Sequence, residues 1–520
     1  MIRRIAAMWA LAAAAFAAEA RLEGTAELEE RTNPSALIAQ QWDDFLLKRI
    51  DAARGERPRR WNRDFSGPEA YARSVGPNRA RLAQMVGAVD ARPNEGGFDF
   101  SAPESAPGPL AEGARFTVWP ARWGVMPGIT AEGVAVHPRA APAGLVVIIP
   151  DADQEPEAWA GVKSGGRVPP KIAWRLASGG MLVVVVAPVS RDSTWSGDEA
   201  SGVMTNQPHR EWIHRQAAPV GRHVVGYEVQ MVRAAIDAFA RSGGAGAPVG
   251  VIGFGEGGLV ALLAGALDER IRATWTAGYF APREGIWAEP LYRNVHGLLT
   301  EFGDAEVASL VAPRALLIEA CDGPTIAAAA NPAGGPVARR SASPGALAPA
   351  PVAEVRREFA RLRGLLGERL AAKAEMIVPD DPRAAPGTAE ALAVFFRQLG
   401  LVTGTLDEAV PAVRRVPSAE ETSRRQRRIV GGLSAHVQEL ARLSDRGREA
   451  FFWGKVTPGA AADWPARVEP LRRAFSDDFV GSLALPDAPL RPRSRWRADL
   501  SAAAYATHEI AFDVTPGVED

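Results

Sequence analysis

The sequence predicts an α/β fold built on a mostly parallel, doubly wound sheet, with helical extensions at both ends. Three observations predict it. Strand-like and helix-like segments alternate from about Arg115 to Leu399. Two strand segments, Leu145–Ile149 and Met181–Ala187, are continuous apolar runs, as strands buried on both faces must be. The run Val249–Ile252 passes through Gly253-Phe254-Gly255-Glu256-Gly257-Gly258 into a helical pattern, Leu259–Leu267. Strand, tight glycine turn and helix in succession are a unit of a parallel sheet covered on both faces.

The elements follow in order. Arg21 to Gly113 is polar and punctuated by proline, with helical spacing over Ala36–Ala53 (Leu37, Trp42, Leu46, Ile50) and Pro77–Val89. It carries no strand signal and is expected to be an accessory helical region. Arg115–Trp123 and Gly133–His137 are strands around a Pro-Gly turn. Ile172–Ala177 is helical, and a long polar loop runs from Pro188 to Pro208. Val225, Val229, Val232, Ile236 and Phe239 line one helical face. Ile271–Ala277, Ala315–Glu319 and Ala374–Val378 are further strands, and Thr388–Leu399 is a closing helix. The segment 322–351, rich in Ala, Pro and Gly, is expected to be a flexible insertion.

After Gly404 the rhythm stops. Arg424–Arg448 reads as one long basic helix, and Pro458–Pro492 as shorter pieces joined by prolines. His508–Val514 alternates like a strand with no neighbour after it, a lone strand that must find a pair or fray. The expected organisation is therefore 1–20 as a signal peptide, 21–113 as the N-terminal helical region, 114–403 as the sheet domain, and 404–520 as a helical extension ending in a lone strand.

Composition excludes several functions. Of the 520 residues 47% are apolar and 23% charged, which is ordinary for a globular chain. A net charge of -1 leaves no electrostatic footprint for nucleic acid or an anionic membrane. Cys321 is the one cysteine, so an internal disulfide is excluded. No H-x-x-x-H or C-x-x-C spacing suggests a metal, and no cofactor motif is present. Arg3 and Arg4 precede an apolar run, Ile5–Ala18, and Ala15-Phe16-Ala17 and Ala18-Glu19-Ala20 fit small-x-small cleavage sites. The run is shorter than the ~20 residues a spanning helix needs, and no later segment is long enough. The expectation is export to the periplasm or beyond.

The glycine turn is also where chemistry is expected. It has the setting of a nucleophile elbow, G-x-S-x-G, with the small positions on Gly253, Gly257 and Gly258 and the nucleophile position on Gly255. Glycine carries no nucleophile, and no serine in the chain has glycine at both -2 and +2. A shift by one residue would put Glu256 on the elbow, with Phe254 then at a small position. A serine site also needs a histidine base and donors for an oxyanion. The loop after the last strand, Pro379–Thr388, holds Asp380 and Asp381 but none of the seven histidines. His209, within the polar cluster Asn206–Trp212, is the histidine able to reach the strand tips, and Asp322 stands where a triad carboxylate belongs. The helix opening at Glu256 and Gly257 offers N–H groups and a positive dipole end to an anion. The loop Pro150-Asp151-Ala152-Asp153 is placed for a second oxyanion donor, although its acidic pair suits a cation or sugar hydroxyls better.

Several pieces together resemble a bacterial α/β-hydrolase group related to acetyl xylan esterases and dienelactone hydrolases. They are Gly221-Arg222 with Gly226-Tyr227-Glu228, the turn Gly253–Gly258, Ala266-Leu267-Asp268-Glu269-Arg270-Ile271, and Ala312-Pro313-Arg314-Ala315-Leu316-Leu317, within Arg115–Leu401. The resemblance implies an α/β-hydrolase fold and hydrolysis of esters, often of acylated carbohydrate, by a Ser-His-Asp triad. The sequence departs from it at the serine and the histidine. Glu509–Val514 looks like the opening strand of a second such domain in larger relatives, which would make a partner hydrolase domain or protein a neighbour.

Three functions are consistent with these residues. One is an esterase-like protein, weak or inactive as a serine hydrolase, that binds carbohydrate or an acyl ester at the strand tips. The second is a hydrolase using Glu256, His209 and Asp322. The third is an interaction module that docks a partner through the arginine-rich helix.

Overall fold

The computed structural model describes residues 21–29, 33–101, 107–164, 169, 171–327, 341–381, 383, 385–401, 410–456, 459, 461–481, 483, 492–502, 504–515 and 517–519. The signal segment 1–20 and the middle of the 322–351 insertion, 328–340, lie outside the described residues. The chain divides into two compact units, Arg54–Ser444 and Met1–Ala53 with Asp445–Asp520.

The larger unit is organised by a ten-stranded sheet. Its strands are β1 (Ala111–Glu112), β2 (Phe116–Met126), β3 (Ile129–Pro138), β4 (Gly144–Ile149), β5 (Met181–Val186), β6 (Val249–Phe254), β7 (Ile271–Ala277), β8 (Ala315–Glu319), β9 (Ala374–Ile377) and β10 (Ala412–Val413). They lie in the order β9-β8-β7-β6-β4-β5-β3-β2-β1-β10. Pairing is parallel from β9 through to β5 and antiparallel from β5 to β10. This is the mostly parallel sheet that the alternation predicted, in the α/β-hydrolase strand order that the resemblance implied. The β2–β3 hairpin runs longer than expected and turns at Pro127-Gly128.

Strand alternation sorts the core into two layers. Leu145, Val147, Ile149, Leu182, Val184 and Val186 face one layer, while Val146, Ile148, Met181, Val183 and Val185 face the other. Seven helices matter below: α1 (Lys171–Ser178), α2 (His209–Ala217), α3 (Val224–Phe239), α4 (Glu256–Leu267), α5 (Val352–Ala371), α6 (Ala389–Leu399) and α7 (Ala419–Arg442). Residues of α3, α4 and α5 join the first layer, and residues of α1 and α6 the second. A sheet buried on both faces needs apolar residues at every position, which is why β4 and β5 show no alternation of polarity. The order reverses at β4, which pairs with β5 on one side and β6 on the other. The crevice at the carboxyl ends of β4 and β6 is thus the topological switch point, where open α/β sheets place ligands. Asp151 and Gly255 both lie there.

The basic helix differs from its expectation in two ways. It breaks at Leu443, giving α7 and a separate helix Ser444–Phe451. Its arginines are also engaged within the chain. Arg425 pairs with Glu157 at 2.6 Å, Arg428 with Glu132 at 2.6 Å, Arg427 with Glu199 and Arg424 with Glu420. Ile429, Val430, Leu433 and Val437 are buried beside them. This amphipathic spacing fixes α7 to its own unit.

In the smaller unit the terminal strand is not lone. His508–Ala511 pairs antiparallel with Arg493–Trp496, which also pairs parallel with Ala26–Glu27. The strand therefore has a partner in its own chain and is not the unpaired strand that was expected. Ala26–Glu27 is also a strand in a region expected to be helical throughout. Two residues are too short to produce a period in the sequence. Among the described residues no helix is long and apolar enough to cross a membrane.

Candidate functional site

The elbow is built as the motif requires. Gly255 follows β6 and precedes α4 with φ 58° and ψ -118°, a backbone conformation that a residue with a Cβ adopts only under strain. A Cβ at Gly257 would lie 1.9 Å from the carbonyl oxygen of Ile149, so α4 and β4 can approach only through glycine. The nucleophile position, however, is filled from outside. A Cβ at Gly255 would stand 2.5 Å from Asp151 Oδ1 and 2.8 Å from Pro324 Cδ. A side chain at 255 and the observed Asp151 carboxylate cannot share that space.

Asp151 is delivered by the end of β4 and is buried. Its Oδ1 accepts the Glu256 N–H at 2.9 Å and Arg191 Nη2 at 2.9 Å, and its Oδ2 accepts Arg191 Nη1 at 2.5 Å. The Glu256 N–H belongs to the residue after the nucleophile position, which supplies an oxyanion donor in this motif. Here it donates to a carboxylate of the same chain. Arg191 also donates to Asp153 Oδ2 at 2.7 Å. Ala152 between them is buried and brings no polar side chain. The cation that the acidic pair was expected to attract is thus Arg191.

Glu256 continues the network. It is 1% exposed. Arg293 Nη1 donates to Oε1 at 2.9 Å, with Arg191 Nη2 at 3.5 Å from Oε1 and Arg210 Nη2 at 3.5 Å from Oε2. Burial, the largest single influence, pushes its pKa up. The summed charge of Arg293, Arg210 and Arg191 overrides burial and holds the carboxyl at about 2. A carboxylate so held is a fixed negative charge at neutral pH rather than a proton donor. Arg210 in turn grips Glu228 at 2.6 and 2.9 Å, and Arg191 Nε donates to the Tyr292 hydroxyl at 3.1 Å. Buried charges are tolerated only when paired and hydrogen-bonded in this way.

His209 sits at the start of α2, fully buried. Its Nε2 accepts the Trp195 N–H at 2.9 Å, and its Nδ1 lies 2.9 Å from Ser190 Oγ. Because Nε2 must be the acceptor, the proton of the neutral ring is on Nδ1 and is donated to Ser190. A base serving a serine needs the opposite polarity. Burial, opposed by Asp192, lowers the His209 pKa to about 4. Asp322 is half-buried just beyond β8. Among the described residues no hydrogen bond or ion pair joins any two of Glu256, His209 and Asp322.

Sequence reasoning missed Arg191, Arg293 and Glu319, and singled out Arg210 only as part of the polar cluster Asn206–Trp212. Nothing local marks the arginines among many others, and their partners are as much as 101 positions away. Glu319 ends β8 and accepts the N–H groups of Gly387 and Thr388 at 2.9–3.0 Å. Those two residues belong to the loop in which the catalytic histidine was expected. A cavity of about 290 Å³ opens at the carboxyl ends of β7 and β8, lined by Tyr279, Arg283, Arg293, Glu319, Cys321 and Pro324 among others. Among the described residues no group of three His, Cys, Asp or Glu side chains is placed to hold a metal ion.

No family model and no curated protein matches the sequence. Solved structures do resemble it. A protein from Bacteroides fragilis described as an acetyl xylan esterase is 13% identical, with a TM-score of 0.40, over 69% of this chain and 90% of its own. A methylesterase is 15% identical, with a TM-score of 0.42, over 73% and 78%. A glucuronoyl esterase from Solibacter usitatus is 14% identical, with a TM-score of 0.37, over 63% and 93%. The fold assignment itself stands on the strand order of this chain.

Proposed function

We propose that this chain is an exported, esterase-like protein of the α/β-hydrolase fold that lacks the Ser-His-Asp chemistry. On this reading it acts in the periplasm or outside the cell by binding a polar ligand, carbohydrate or an acyl ester, at the strand tips. One observation carries the reading. The elbow backbone is intact at Gly255, while the position of the nucleophile and the neighbouring oxyanion donor are both taken by Asp151. Binding needs only an open cavity at the strand ends, and the cavity of about 290 Å³ beside Tyr279, Glu319 and Pro324 supports the reading. Export rests on the N-terminal pattern of Arg3 to Ala20.

The test is an ester assay on the purified protein with acetyl and longer acyl esters and acetylated xylo-oligosaccharide, together with calorimetric binding of the same compounds. The expected result is binding without turnover above the uncatalysed rate. The alternative, hydrolysis through Glu256, His209 and Asp322, requires turnover that disappears in Glu256→Gln. Such turnover would replace the present reading.

A further inference from the structure

We infer that the elbow is a carboxylate-binding site whose occupant is the chain's own Asp151. The inference rests on the reading of the elbow as non-catalytic and adds the chemical class of ligand that the site recognises. Three hydrogen bonds from two kinds of donor converge on the Asp151 carboxylate. The guanidinium of Arg191 presents Nη1 and Nη2 to the two carboxylate oxygens at 2.5 and 2.9 Å. Parallel N–H donors of this kind match a carboxylate and not a lone hydroxyl. The Glu256 N–H adds a third bond at 2.9 Å from the first residue of a 12-residue helix, whose positive dipole end favours the same charge. The side chain of Arg191 is 8% exposed, so these bonds are made largely out of water.

The space is matched as well. The carboxylate occupies the volume that a Cβ at 255 would claim, so the missing side chain there is what makes room for it. The ligand is tethered to the end of β4, so it meets its donors with no loss of translational freedom. An external carboxylate cannot compete with it in the native protein. Removing the Asp151 side chain removes a CH₂–carboxylate group and leaves a site of acetate size with its donors in place.

The experiment uses the full chain as wild type, Asp151→Gly and Asp151→Gly/Arg191→Gln. Thermal unfolding is followed at pH 7 against sodium acetate or sodium chloride at equal ionic strength. Acetate is expected to raise the midpoint of Asp151→Gly progressively in the millimolar range, while chloride does not. The wild type and Asp151→Gly/Arg191→Gln should respond equally to the two salts. Because Asp153 already shares Arg191 Nη1, Asp151→Gly/Asp153→Ala should respond to acetate at least as strongly as the single variant. Equal effects of acetate and chloride on Asp151→Gly and on Asp151→Gly/Asp153→Ala would overturn the inference. If Asp151→Gly does not fold in chloride, acetate must restore folding during refolding, and failure to do so overturns the inference equally. Ester turnover is read on the same samples. Turnover by the wild type would refute the proposed function and leave the acetate result standing by itself.

Discussion

Two helices of this molecule, α4 and α6, follow strands of the same sheet, and at or just before the start of each a carboxylate from the end of a neighbouring strand accepts backbone N–H groups. At α4 the carboxylate is Asp151, from β4, on the Glu256 N–H. At α6 it is Glu319, from β8, on the N–H groups of Gly387 and Thr388. These are the two places where a serine hydrolase of this fold keeps its nucleophile and its base. The difference lies in the counter-charge. Asp151 is matched by Arg191, with Glu256 held by Arg293 and Arg210 beside it. Glu319 has only uncharged donors, and burial raises its pKa. The comparison teaches that a buried strand-end carboxylate held by backbone N–H groups can either carry an arginine partner or rely on uncharged donors alone.

The largest expected effect breaks the arginine-rich side. Glu256→Gln leaves Arg293, Arg210 and Arg191 without their shared anion, so urea unfolding at pH 7 should show a loss of about 3–5 kcal/mol. A loss under about 1 kcal/mol would mean that the network is not a buried charge cluster. The same variant sharpens the pH contrast. Glu256 has a folded pKa of about 2 against an ordinary 4.5, so its stabilisation is full above pH 4.5 and is lost as pH falls towards 2. The gap between wild type and Glu256→Gln should therefore narrow across that window.

Gly255→Ser comes next. A Cβ there combines a positive-φ conformation with a 2.5 Å approach to Asp151, and a loss of roughly 1–3 kcal/mol is expected. No ester turnover should accompany it. Glu319→Gln is expected to be milder and to have the opposite pH sign. A carboxyl with a raised folded pKa stabilises the fold fully at low pH and loses that contribution as pH rises above 4.5. Chemical denaturation of Glu319→Gln should therefore show it gaining on wild type as pH is raised from 4.5 to 8. A flat difference would mean that burial does not raise the Glu319 pKa. Smallest of all, Asp322→Asn should shift stability by less than about 0.5 kcal/mol, because no partner for its carboxylate is seen among the described residues.

The legible part of the molecule was what local pattern encodes. Apolar runs placed β4 and β5, the glycine spacing placed the turn after β6, and helical spacing placed α3 and α6. Glu256 and the Asp151 loop were singled out from their positions at strand ends, and they do meet, as donor and acceptor. What the chain conceals is pairing across distance. Arg191 reaches Asp151 across 40 positions and Glu256 across 65, and no periodicity records such a contact. The same holds for the terminal strand. His508–Ala511 finds Arg493–Trp496 across residues with no hairpin turn signal, so its partner was invisible. The contacts that α7 makes within the chain were hidden for a related reason. Its charge was visible, but Glu132, Glu157 and Glu199, which engage that charge, are scattered over the sheet domain.

The central claim is that Gly255 and Asp151 form one unit, a vacated nucleophile position and the carboxylate that fills it. A double-mutant cycle of Gly255→Ala and Asp151→Gly, measured by urea unfolding, tests this most directly. The backbone strain that Gly255→Ala introduces and its 2.8 Å approach to Pro324 Cδ are common to both arms, and only the clash with the carboxylate depends on residue 151. The account predicts that the double variant is more stable than the sum of the singles by more than about 1 kcal/mol. Additive losses would contradict it.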